Sequence, residues 1–130
     1  MKRMLVLTVA ILIVGSVMSL TAETMAYDSE KAVAIMRQNL GAMRPLGGTL
    51  ESGNYVASGA SFLTLAQGSM GLLAMTPPKG SEAEWVRVNT SLVKAALAGA
   101  EACLDKDKQA AEEALGQIRA LNKEGHSNFR

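Results

Sequence analysis

Apolar side chains recur at steps of three and four residues in four runs of this chain, and no stretch reads as a strand. That period places each run on one face of a helix. The first run covers about Ser29 to Met43, with Val33, Met36, Leu40 and Met43 in register. Ser29 is suited to cap it, and Asp28 and Glu30 suit the positive end of the helix dipole. Pro45 and Gly47-Gly48 end it. The second covers about Asn54 to Met75, through Val56, Ala60, Leu63, Ala66 or Gln67, Met70, and Leu73 or Ala74. Gly59, Gly68 and Gly71 weaken it as a helix, because each Gly costs about 1 kcal/mol against Ala. They also let a backbone or a flat ligand approach closely.

Thr76-Pro77-Pro78-Lys79-Gly80 is a break, followed by Ser81-Glu82-Ala83-Glu84, the spacing of a capping box. The third run continues to about Leu104, with Trp85, Val88, Leu92, Ala95 or Ala96, Gly99 and Cys103 on its stripe. Asp105 and Asp107 open the fourth, which carries Ala111, Ala114, Leu115, Ile118, then Leu121 or Asn122, and Gly125. The turn between the last two runs is short, so they are expected to be antiparallel neighbours. The expected fold is all-α, an antiparallel up-down four-helix bundle. Only 4% of the residues are aromatic, so Ala, Leu, Val and Met supply the apolar surface, as in helices.

The segment before these runs is of another kind. Met1-Lys2-Arg3 is a short basic start, and Met4–Leu20 is an uncharged apolar run of about 17 residues. Small residues follow, with Thr24-Met25-Ala26 as the expected cleavage triplet and Leu20-Thr21-Ala22 as the alternative. This is the layout of a secretory signal peptide. The other reading is a retained anchor, for which the run sits at the lower limit of roughly 17–25 spanning residues. The expected division is therefore residues 1–26 as signal peptide and 27–130 as the bundle. The mature chain is expected in a periplasm, without membrane attachment. Cleavage removes Lys2, Arg3 and Glu23 and leaves the mature chain nearly neutral.

Several function classes are excluded or disfavoured at this level. A formal net charge of +1 gives no footprint for nucleic acid. One Cys closes no internal disulfide, and one His builds no multi-His metal site. There is no Ser-His-Asp spacing, phosphate-binding Gly loop or H-E-x-x-H, so no enzymatic activity is expected. Glu82/Glu84 and Glu112-Glu113 read as solvated faces. Cys103, on the third stripe, reads as a buried small apolar residue; an oxidising compartment leaves an interchain disulfide as the alternative.

The fourth run holds an anomaly. Its apolar stripe passes from Ile118 to Asn122 and then Gly125, with His126 beside them. An amide and a glycine stand where packing calls for Leu or Ala. The plain explanations are a frayed end for Asn122, a helix stop at Gly125, and a favourable dipole contact for His126.

The tail Asn122-Lys123-Glu124-Gly125-His126-Ser127-Asn128-Phe129-Arg130 resembles the end of the cytochrome c-prime family and its low-spin c-type relatives, C-x-x-C-H-x-x-Y/F-R. His126, Phe129 and Arg130 fall on the family's His, aromatic and Arg, and Asn122 and Gly125 fall on its two haem-attaching Cys. Ala34-Ile35-Met36 to Ala42-Met43 is similar to the family's first helix. Pro77-Pro78, Gly80-Ser81 and Trp85 resemble the loop and Trp before its third helix, and Ala95 to Glu113 its third helix and acidic turn. The resemblance implies a haem site with His126 and Met36 as axial-ligand positions and Arg130 nearby. Ala32 stands where the family has an Arg for a haem propionate. With both Cys absent, covalent haem c at this site is excluded.

Three readings follow. The first, and the favoured one, is a haem-free binding or structural module whose cleft takes a small hydrophobic ligand or a partner. The second is non-covalent haem b held by His126 and Met36, acting in electron transfer with a redox partner or in gas binding. The third is soft-metal handling, chiefly copper, by Met36, Met43, Met70, Met75, Cys103 and His126. The resemblance also implies a homodimer through the first two helices.

Overall fold

The computed structural model describes residues 24–129. The expected leader lies outside them except for Thr24–Ala26, and so does Arg130. Among the described residues the protein is all-α, with four long helices packed against one another and one short helix. These are α1 Ser29–Met43, α2 Leu46–Glu51, α3 Tyr55–Leu73, α4 Glu82–Leu104 and α5 Lys108–Phe129.

Short polar side chains start each long helix by accepting hydrogen bonds from its first free N–H groups. For α1 the cap is Asp28, one residue before the expected Ser29. It accepts from the Glu30 and Lys31 N–H groups at 3.1 and 3.2 Å. Asn54 caps α3 through the Ala57 N–H at 3.2 Å, and Asp107 accepts from the Ala110 N–H at 3.0 Å at the start of α5. Ser81 accepts from the Glu84 N–H at 3.4 Å. The reciprocal half of the expected capping box is diverted, because the Glu84 carboxylate turns to Arg87 at 2.8–3.0 Å.

The expected break after α1 contains α2. Gly47 and Gly48 disfavour helix, but Leu46 and Leu50, four apart, are buried almost completely in the core, and that burial outweighs the propensity. α2 packs on α1, α3 and α5. α3 is long and apolar enough to cross a membrane by composition. In the bundle it lies against α1, α2 and α4 and buries Ser58, Phe62, Leu65, Gly68 and Leu72.

The helices approach most closely at glycines of α3 and α4. A Cβ on Gly99 would stand 2.4 Å from the Phe62 ring, so only Gly lets this buried ring come so close to α4. A Cβ on Gly68 would stand 2.1 Å from Asn39 Oδ1, which is how α1 settles on α3. The buried face of α1 differs from the expected stripe. Ala32 is fully buried and Ile35, Met36, Asn39 and Met43 are half-buried, while Val33 and Leu40 are 42% and 50% exposed. α1 has only α2 and α3 to pack on and meets neither α4 nor α5, so less of its surface is covered.

The core divides in two. One part holds Leu46, Leu50, Phe62, Ala96, Leu115 and Ile118 at the α2 end. The other holds Ala32, Leu72, Met75, Trp85, Val88 and Phe129 at the opposite end. Leu92 packs against both. The seam between α1 and α5 is filled by α2 at the first end and left open at the second.

Candidate functional site

The open end of the seam is a cavity of about 260 Å³. Val33 and Met36 of α1 form one wall. Trp85, Val88, Asn89 and Leu92 of α4 form the floor, with Leu72 of α3. Leu121, Asn122, Gly125, His126 and Phe129 of α5 form the other wall, and Tyr27 and Pro78 contribute at the edge. Four of the five residues singled out in the sequence thus meet at one place: Met36, Asn122, Gly125 and His126. The fifth, Arg130, lies outside the described residues.

The wall on α5 is regular helix. α5 continues through Gly125 to Phe129, so Gly125 is not a stop and Asn122 is not at a frayed end. A Cβ at Gly125 would reach Val88 Cγ1 at 3.5 Å, ordinary contact. Packing therefore does not require glycine there. Asn122 is half-buried and His126 is exposed, at the rim. As the basic residue in the last turn of α5, His126 stands at the negative end of that helix.

Trp85 organises the floor. Its Nε1–H donates to the Leu72 and Met75 carbonyls at 3.1 and 3.0 Å, just where α3 ends. Its ring meets Phe129 edge to face, with centroids 5.1 Å apart. The segment before α1 is tied to the same place. Met25 N–H donates to Ala74 O at 2.8 Å, Met25 O accepts from Thr76 N–H at 2.9 Å, and Asp28 N–H donates to Met75 Sδ at 3.4 Å.

One wall residue was not singled out in the sequence. Asn89 is only 3% exposed, and its Nδ2 donates to Trp85 O at 3.0 Å. It lies four residues after Trp85 on the apolar stripe of α4, and a polar residue at that spacing is the signal that marks it. Outside the rim, Arg87 of α4 bridges Glu84 and Glu124 of α5. Its hydrogen bond and charge hold the Glu84 carboxyl below the usual range. All three side chains are well exposed, so the network contributes little stability.

The six soft donors of the copper reading are not brought together. Met36 and His126 line the cavity, Cys103 and Met43 belong to the other half of the core, Met70 is 59% exposed, and Met75 is buried. Cys103 is a buried free thiol, and burial raises its pKa. For haem, the donor types of Met36 and His126 suit a low-spin centre, and both line the cavity of about 260 Å³.

No family model, curated protein or solved structure matches the chain.

Proposed function

We propose that the protein is an exported, non-enzymatic binding module that holds a small apolar molecule between α1, α4 and α5. The observation that carries this is the unfilled seam: α1 lies against α2 and α3 alone, and the gap to α5 is walled by apolar side chains. An apolar cavity of about 150 Å³ takes up benzene in a well-studied engineered case. A cavity of about 260 Å³ suits a one- or two-ring molecule.

The proposal includes an up-down antiparallel bundle of the cytochrome c-prime kind. Its support is the run of cross-helix neighbours. Ile35 lies by Gly71 and Asn39 by Gly68, Gly59 by Cys103 and Phe62 by Gly99, and Val88 by Gly125. Between α4 and α5 Trp85 also lies by Phe129, so in each pair of helices one number rises as the other falls. It also includes export by the leader. The backbone bonds of Met25 to Ala74 and Thr76 favour cleavage after Ala22, which keeps them, over cleavage after Ala26. The intact mass of the exported chain decides between the two. A homodimer through α1 and α3, the first two long helices, has support in the exposed Val33, Leu40, Leu63 and Met70; sedimentation at micromolar concentration tests it.

The test of the binding reading is titration of the mature protein with benzofuran. Trp85 is the only Trp in the chain, so its fluorescence reports the cavity floor directly. Saturable quenching is expected, abolished by Gly125→Leu, which fills the space while the helical circular dichroism is retained. Absence of saturable binding sinks the proposal. The second reading is non-covalent haem, favoured by Met36 and His126 sharing the cavity. A sharp Soret band on hemin addition, lost in His126→Ala, would establish it in place of the first.

A further inference from the structure

The walls of the cavity are apolar except at a few points, and one of these is deep. Asn89 is 3% exposed and sits on the floor between Trp85 and Leu92. Its orientation is fixed by chemistry. The atom facing Trp85 O at 3.0 Å must be the amide nitrogen, because a carbonyl only accepts. The other end is therefore the carbonyl oxygen, an acceptor. Among the described residues Asn89 Oδ1 accepts no hydrogen bond, and it is not sealed within the protein, as Asn39 Oδ1 is. The cavity is the space it opens to.

We infer that the cavity selects a flat apolar molecule carrying one N–H or O–H donor, which Asn89 Oδ1 accepts. This rests on the binding reading above and specifies its ligand class: a neutral one- or two-ring aromatic of the indole or phenol type. A ligand without a donor would cover this acceptor and leave it unpaired at a cost, while a donor brought by the ligand satisfies it. A site with such a group discriminates against the isostere that lacks the donor more strongly than an apolar pocket discriminates by size. The edge-on rings of Trp85 and Phe129 give a planar body aromatic surface to lie against.

The experiment compares indole with benzofuran, nearly equal in shape, of which only indole donates. Both are titrated into the unaltered mature protein and into Asn89→Leu, with protein-detected NMR as the readout. Indole is expected to bind roughly tenfold or more tightly than benzofuran, the factor a buried hydrogen bond carries. In Asn89→Leu that preference is expected to vanish. Equal binding of the two by the unaltered protein overturns the role of Asn89 and leaves the cavity reading standing. Binding of neither overturns both. The comparison on the unaltered protein does not depend on how well Asn89→Leu folds.

Discussion

Trp85 and Phe129 meet edge to face, with ring centroids 5.1 Å apart and ring planes at 88°. The contact joins the first turn of α4 to the last turn of α5 beneath the cavity. Trp85 also holds the end of α3 through its indole N–H, so three helix ends converge on one side chain. Phe129→Ala is expected to cost about 3 kcal/mol, in the range for a buried aromatic. Trp85→Phe, which keeps a ring but strands the Met75 carbonyl, is expected to cost about 1–3 kcal/mol. Urea denaturation of Phe129→Ala, Trp85→Leu and the double variant should give a coupling near 1 kcal/mol, as for aromatic pairs.

Two glycines in neighbouring helices are expected to respond oppositely to alanine. At Gly99 the added methyl meets the Phe62 ring at 2.4 Å, and Phe62 is fully buried. Gly99→Ala should therefore destabilise by about 1–3 kcal/mol through overpacking. At Gly116, inside α5, nothing lies within 4 Å of the added carbon. Gly116→Ala should stabilise by about 0.5–1 kcal/mol, the usual gain in a helix interior. Thermal unfolding of the two variants checks both signs.

Burial pushes the Cys103 thiol above its ordinary range. Native protein at pH 8 is expected to react with a thiol reagent at least tenfold more slowly than protein in urea, since the thiolate is the nucleophile. The sign for stability follows from linkage. The folded state holds the proton more tightly than the unfolded state, so this contribution is complete below the unfolded thiol's pKa. It is lost as pH rises from there through the folded value. Cys103→Ser should flatten that alkaline loss in denaturation measured from pH 7 to 10.

Gly68→Ala is expected to act on α1 alone. The methyl would occupy the position of Asn39 Oδ1, whose oxygen is buried without a hydrogen bond. Displacing that side chain loosens α1 from α3 and leaves the α3–α4–α5 packing intact. Hydrogen exchange should show amides of α1 exchanging at least tenfold faster, with those around Phe62 and Ala96 unchanged.

The four long helices were legible in the sequence because their apolar period and caps agree. Asp105 to Asp107 and Pro77-Pro78 mark their breaks with equal clarity. α2 was not legible, because Gly47-Gly48 argues against helix locally while the burial of Leu46 and Leu50 is a long-range effect. The same limit misplaced the buried face of α1. Val33 and Leu40 fit the helical period, but periodicity does not show that α1 lacks a neighbour on one side. At the cavity, Asn122 and Gly125 interrupt an apolar stripe, and that interruption is visible in the sequence. Asn89 passed unnoticed because Trp85, Val88 and Leu92 around it look like ordinary core.

Leu46 and Leu50 fasten α2 beneath the seam between α1 and α5 at one end. At the other end α1 is held to α3 alone, through buried Ala32, the Asp28 N–H on Met75 Sδ and the backbone bonds of Met25. The two walls of the cavity therefore belong to helices that do not pack on each other. A molecule that touched both would be the only direct tie across that gap among the described residues, so its binding should rigidify α1 and α5 together.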